Sequence, residues 1–233
     1  HVFLSCLLII LRSIMSIQKS YTALKGAVTK SFQEELSPAQ AIELLHAGHQ
    51  RFLENAPLKR SRLALLADAS EGQSPFAAVL GCIDSRVPIE EVFDATIGDL
   101  FIARVAGNTV NPDILGSLEY ACKYAGSMAI LVLGHTSCGA IKGAWAGLED
   151  GNLTGLLAQL KPAVETIRAT RSDEATPENI DETVAVNVQM VCDRIRQESD
   201  ILYDMESNGA IAIIGGVYNV ATGRITFLEE SEA

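Results

Sequence analysis

Three residues of this chain have the types and spacing to hold a metal ion together. Cys82 lies in Gly81-Cys82-Ile83-Asp84-Ser85-Arg86, while His135 and Cys138 lie in Gly134-His135-Thr136-Ser137-Cys138-Gly139. Two sulfurs and one imidazole form the soft N/S set that zinc prefers in tetrahedral geometry. Two thiolates and a neutral imidazole offset a divalent charge and leave a neutral centre. Ser137 beside His135 raises hydrolase chemistry, but no G-x-S-x-G occurs, and a triad base would have to come from His46, His49 or His135. Gly134 to Gly139 has the first glycine spacing of a P-loop, yet Ala140-Ile141 stands where Lys-Ser/Thr is required. No G-x-G-x-x-G follows a strand, so a bound dinucleotide is unsupported as well. Cys122 and Cys192, inside helical patterns, read as small apolar core residues. His46 and His49 form an H-x-x-H without an acidic or thiol partner nearby, and read as helix-face residues rather than a second metal site.

The elements that must position these groups are legible in the apolar pattern. Phe76 to Gly81, Leu100 to Ala106, Met128 to Gly134 and Ala210 to Val217 are short continuous apolar runs, the mark of buried parallel strands. Helical spacing is expected from Ser37 to about Asn55, where Ser37-Pro38 supplies an N-cap and a first-turn proline, with Ile42, Leu45, His49 and Phe52 recurring. It is also expected over Pro112 to Tyr124, Ala140 to Leu148, Leu153 to Thr170 and Pro177 to Glu206. Apolar strands alternating with helices predict an α/β domain with a mainly parallel sheet covered on both faces. Arg224 to Leu228, after the Ala221-Thr222-Gly223 turn, is expected to pair antiparallel with the strand before it. Ligands of open α/β sheets bind at the carboxyl ends of strands, and Cys82 and His135-x-x-Cys138 follow two of those ends.

Composition narrows the partners. Of 233 residues, 48% are hydrophobic and 20% charged, which supports a sizeable core and argues against intrinsic disorder. A net charge of −11 repels a phosphate backbone, and no run of Lys or Arg offers a basic patch, so nucleic acid is excluded as a partner. The five cysteines, Cys6, Cys82, Cys122, Cys138 and Cys192, suit thiols or a metal site in a reducing cytoplasm better than a disulfide framework. The apolar run Val2 to Leu11 is too short to span a bilayer. Residues 1 to 14 therefore read as upstream sequence outside the fold or, in the exported alternative, as part of a signal-like segment, with Met15 as the natural start. Residues 15 to 36 read as an N-terminal arm and 37 to 233 as a single domain.

Cys82-x-Asp84-Ser85-Arg86, followed 53 residues after Cys82 by His135-x-x-Cys138, resembles the β-class carbonic anhydrases. Gly98-Asp99-Leu100-Phe101, Arg104 with Ala106-Gly107-Asn108, Gly116-Ser117-Leu118-Glu119-Tyr120, Gly139-Ala140-Ile141-Lys142-Gly143 and Gly216-Val217-Tyr218 extend the resemblance from about Ser37 to Leu228. It implies a zinc lyase that interconverts CO2 and bicarbonate. It also implies four parallel strands with a fifth antiparallel, N-terminal helices packed on a partner subunit, and a site at the edge of an obligate homodimer, alone or as a dimer of dimers. Cys82, His135 and Cys138 would then bind one zinc ion per subunit, with Asp84 and Arg86 as the dyad beside it. Zinc-bound hydroxide would attack CO2, oriented by the Asp84 carboxylate, and Arg86 would hold that carboxylate in a bidentate clamp. Released from the clamp, Asp84 would become a fourth zinc ligand in a closed state.

Two departures accompany the resemblance. Some bacterial members hold inhibitory bicarbonate through a Trp, an Arg and a Tyr; Arg104 and Tyr218 match, but the Trp position is Val79. Many members carry a Gln shortly before the Gly98-Asp99-Leu100-Phe101 segment, where this chain has Ala95-Thr96. The sole tryptophan, Trp145, reads as helix packing. Relatives with this zinc motif hydrolyse carbonyl sulfide or carbon disulfide, an alternative that the ligands alone do not distinguish. A non-catalytic zinc-stabilised binding protein would close Cys82, Asp84, His135 and Cys138 around the ion, and Arg86 argues against it by competing for Asp84.

Overall fold

A computed structural model describes residues 15–228. Its centre is a sheet of β1 (Ala77–Gly81), β2 (Leu100–Arg104), β3 (Ala129–His135), β4 (Ala212–Tyr218) and β5 (Ile225–Leu228). The strands lie in the order β2-β1-β3-β4-β5. The pairs β1–β2, β1–β3 and β3–β4 are parallel, and β4–β5 is antiparallel. The protein is thus an α/β fold with four parallel strands and a fifth antiparallel. β1 and β3 are buried at every position because both faces of these central strands are covered, which explains their uninterrupted apolar sequences. Gly81 pairs with Leu133, so the chain leaving β1 at Cys82 emerges beside Gly134 and His135.

The helices are α1 (Lys30–Glu34), α2 (Pro38–Leu53), α3 (Arg62–Ala69), α4 (Ile89–Val92), α5 (Pro112–Glu119), α6 (Gly139–Trp145), α7 (Gly151–Ala158), α8 (Lys161–Thr170), α9 (Pro177–Glu198) and α10 (Asp200–Ser207). Residues 15–23 are also helical. Parallel crossovers are right-handed. The step from β1 to β2 and the opposite steps from β2 to β3 to β4 must therefore place their helices on opposite faces. Leu115, Ile141, Val164, Val184, Val188 and Ile195 accordingly pack with Ala78, Leu80, Ile130 and Val132 on one face. Ile89 and Val92 of α4 lie on the other, with Ala77, Val79, Leu131 and Leu133.

One turn of α4 cannot cover a sheet, and the N-terminal helices fill the remainder of that face. The apolar face of α2 is thereby spent on its own sheet. Ala41, Leu44 and Leu45 of α2 are buried against Val79 and Leu131 of the same chain, together with Tyr21, Phe32 and Leu36. Ser37 and Gln40 close the start of α2 as a reciprocal capping box, with Pro38 in the first turn. Gly48 permits the close approach to the end of α4, since a Cβ there would stand 1.9 Å from the Phe93 carbonyl oxygen.

Several boundaries differ from the periodic reading. The stretch from 153 to 170 is two helices, α7 and α8, and the stretch from 177 to 206 breaks at Ser199. Ser199 turns extended, accepts from Leu202 N–H at 3.2 Å to cap α10 and donates to Glu119 Oε1 at 2.6 Å. After α5 the chain continues as a π-helical turn over Tyr120–Tyr124. The segment 1–14, including Cys6, lies outside the described residues.

His49 ties α2 to both ends of this face. Ile225 N–H donates to its Nε2 at 3.1 Å, which leaves the Nδ1 hydrogen to bond the Val92 carbonyl at 3.2 Å. The imidazole is therefore neutral, and burial pushes its pKa down. A proton taken up by the unfolded chain first means that the His49 contribution is complete above about pH 6.5 and is lost as pH falls below it. The thermal midpoint should accordingly fall between about pH 7.5 and 5.5, and fall less in His49→Gln, as read by calorimetry on both proteins.

Candidate metal centre

The ends of β1 and β3 bring three ligand atoms together. Cys82 Sγ, a ring nitrogen of His135 and Cys138 Sγ all lie within 4.8 Å of one another, and all three residues are buried. Metal–ligand bonds of about 2.0–2.3 Å set tetrahedral ligand atoms some 3.5 Å apart, so a small contraction closes this group on an ion. His135 supplies the sharper test. Its Nδ1 bonds the Thr136 carbonyl at 3.0 Å, whereas its buried Nε2 has no hydrogen-bond partner. With the proton on Nδ1, Nε2 presents a lone pair, and leaving such an acceptor buried and unmatched costs about 1–3 kcal/mol. A metal ion there would satisfy it, and the donor set fits zinc.

The turn from His135 to Cys138 is fastened on two sides. Thr136 N–H donates to the Tyr218 carbonyl at 2.9 Å, and Val220 N–H donates to Thr136 Oγ1 at 3.1 Å. Ser137 then adopts a left-handed φ of 56°, which reverses the chain and delivers Cys138 to the start of α6. That conformation costs a non-glycine residue roughly 1–2 kcal/mol. Ser137 N–H is held by Asp181 Oδ1 of α9 at 2.6 Å. Cys82 is fastened differently: Gly107 N–H points to its Sγ at 3.4 Å, and Asn187 Nδ2 of α9 holds the Gly107 carbonyl at 3.0 Å. Gly107 has a φ of 69°, and a Cβ there would meet Leu160 Cδ1 at 2.9 Å.

The two sulfurs are close enough that ionising one disfavours ionising the other. The Cys138 thiol lowers the Cys82 pKa most, and the Gly107 N–H adds to it against burial. The same pairing raises Cys138, followed by burial and the Cys82 charge, while the Ile141 and Ala140 N–H groups act to lower it. The first proton leaves easily and the second is retained until a cation replaces it.

Asp84 and Arg86 are bonded to each other side by side. Arg86 Nε donates to Asp84 Oδ1 at 2.9 Å and Nη2 to Oδ2 at 2.8 Å, with the Arg86 backbone N–H adding a bond to Oδ1 at 2.9 Å. The Arg86 side chain accordingly holds the Asp84 carboxyl well below the usual carboxylate range. Asp84 Oδ2 lies 3.7 Å from His135 Nε2, beside the three ligand atoms but outside their group. Arg104 braces the same loop, donating from Nε to the Cys82 carbonyl at 2.8 Å and from Nη2 to the Asp84 carbonyl at 2.7 Å. Val79 and Tyr218 are buried in the core.

The remaining candidates stay away from this chemistry. Burial pushes the Cys122 and Cys192 thiols up to about 12, so both remain neutral. His46 rests on the Phe227 ring at 4.0 Å, and neither it nor His49 joins a metal-ligand group among the described residues. Trp145 Nε1 donates to Thr183 Oγ1 at 2.9 Å, with the Arg168 guanidinium 5.0 Å from its ring centre. Sequence reasoning missed Asp181 and Asn187. Their signal was polar side chains on the stripe that also carries Val184, Val188 and Val191.

Among the described residues no helix is long and apolar enough to cross a membrane. The carbonic anhydrase family model matches residues 77–225, which contain the whole site. Carbonic anhydrase 2 of Mycobacterium tuberculosis is 34% identical over 197 residues, covering 81% of this chain and 91% of that protein. A carbonic anhydrase of Mycolicibacterium smegmatis is 33% identical over 198 residues, covering 81% and 92%. The crystal structure of a β-carbonic anhydrase of Aspergillus fumigatus superposes with a TM-score of 0.67 at 25% identity, covering 84% of this chain and 91% of that one. By sequence, fold and the residues gathered at its strand ends, the chain belongs to the β-class carbonic anhydrase family.

Proposed function

We propose that this protein is a zinc-dependent carbonic anhydrase that catalyses the reversible hydration of CO2 to bicarbonate and a proton. Cys82, His135 and Cys138 hold one ion per subunit. The observation that carries this reading is the convergence of two buried sulfurs with an imidazole whose Nε2 has no partner, beside a carboxylate held back by an arginine. A zinc ion there supplies Lewis acidity that brings the pKa of a coordinated water close to 7.

The protein's own residues supply orientation. Asp84 remains a carboxylate at neutral pH because of Arg86, so it can only accept a hydrogen bond. Standing 3.7 Å from His135 Nε2, it can take that bond from the attacking oxygen and turn a lone pair toward CO2. Arg86 donates to both carboxylate oxygens and so competes with the ion for them. The released proton passes to buffer, since the bonds of His49 and the ring contact of His46 engage them elsewhere. A structural four-ligand site would need Asp84 among its ligands, and the clamp disfavours that. The test is zinc analysis with stopped-flow CO2 hydration on the purified protein. Near-stoichiometric zinc with activity supports the reading, and absence of both overturns it.

We further propose that the working unit is a homodimer, alone or paired again, in the reducing cytoplasm. Among the described residues β2 has no strand on its outer side. Phe101, Pro112 and Tyr120 there line an apolar groove of about 560 Å³, with Tyr120 and Tyr124 exposed beside it. An open strand edge next to apolar surface is a template for pairing, and the occupant we assign is a second copy. Light scattering should give two or four times the chain mass, with activity per chain falling as dilution produces monomer. A stable monomer of full activity would remove the dimer.

A further inference from the structure

We propose that Asp181 is a positioning residue for the metal ligands His135 and Cys138, acting through the peptide of Ser137; this role rests on the zinc-site reading above. Ser137 is the joint between the two ligands of the turn, and its φ of 56° is one that a serine does not favour unaided. An external group must hold it. The Asp181 carboxylate accepts the Ser137 N–H at 2.6 Å, a short charge-assisted bond. From the other side of the residue, the Ser137 carbonyl accepts from Arg86 Nη2 at 3.4 Å. One residue thus joins the ligand turn, the Asp84–Arg86 clamp and α9. Asp181 also lies one turn before Val184, which is fully packed against the sheet, so the carboxylate is presented by a rigid element rather than by a loop. Loss of the carboxylate frees the Ser137 peptide to relax toward commoner φ values, and the line from His135 to Cys138 changes with it.

The experiment compares zinc release to a chromogenic chelator, the visible spectrum of the cobalt-substituted protein, and kcat and KM for CO2 in wild type and variants. Asp181→Ala should release zinc roughly 10–100-fold faster, with a similar loss of kcat and an altered cobalt spectrum. Asp181→Asn keeps an oxygen acceptor and should stay within about threefold of wild type. Replacing Ser137 by Gly in the Asp181→Ala background should restore slow release, because glycine adopts the left-handed turn without help. Glu182→Gln, which loses only its pairing with Arg171 on the outer side of α9, should leave all readouts unchanged. Should Asp181→Ala fail to fold, Asp181→Ser, whose hydroxyl falls short of the Ser137 N–H, should show the same fast release. Zinc release and a cobalt spectrum equal to wild type in the alanine or serine variant would overturn the role while leaving the proposed function standing. A wild-type protein that takes up no zinc would overturn both.

Discussion

Arg86→Ala should leave zinc near one ion per subunit and lower CO2 hydration by about a hundredfold or more. The expectation rests on which bonds the substitution removes. The backbone N–H of residue 86 still donates to Asp84 Oδ1, but the side-chain bonds to both oxygens are gone. Oδ2 loses the Arg86 Nη2 donor, and it is the oxygen 3.7 Å from His135 Nε2. With a divalent ion in place, that oxygen has one remaining cation to approach and becomes the fourth ligand in the place the substrate water needs. The Arg86 side chain is half exposed, so the fold and its thermal midpoint should hardly change. X-ray absorption should show an added light-atom protein ligand in place of water. Retention of water on zinc together with full activity would show that Arg86 does not act as a clamp. Asp84→Ala should behave differently, leaving an open coordination position and slow turnover.

Cys138→Ser should abolish metal binding and with it activity. A serine hydroxyl stays protonated near neutrality, so the substitution removes a soft ligand and one of the two negative charges that balance the ion. Cys82 also loses the neighbour that lowers its pKa most. The fold should survive, because serine is nearly the size of cysteine and the core around it is carried by larger apolar residues such as Val184, Val188, Ile195, Leu80 and Ile130. Metal analysis should find well under a tenth of an ion per subunit, with circular dichroism unchanged. Stoichiometric zinc in this variant would remove Cys138 from the ligand set.

The three candidate ligands were legible because each is local to a strand end and because cysteine and histidine offer few other reasons to meet there. The sheet was legible for a similar reason: β1 and β3 carry continuous apolar sequence only if both faces are covered. The unread features depend on distant partners. Ser137 and Asp181 are 44 residues apart, and His49 and Ile225 are 176 apart. The face of the sheet taken by α2 follows from the order of the crossovers, which no local pattern encodes. The breaks at Ser199 and between α7 and α8 were hidden because apolar spacing continues across them. Ser199 interrupts the helix by capping the next one and bonding Glu119, 80 residues away.

The bonds that orient the first ligands come from main chain: the Thr136 carbonyl sets the tautomer of His135, and the Gly107 N–H addresses the Cys82 sulfur. A peptide group is present whatever side chain a codon specifies, so mutational drift reaches these two contacts only by bending the backbone. The Asp84–Arg86 pair has no such protection, being built from side chains at the rim. Engineering and inheritance therefore have unequal access to the two sets of contacts: the main-chain bonds to His135 and Cys82 resist sequence change, whereas the Asp84–Arg86 pair can be retuned by a single substitution.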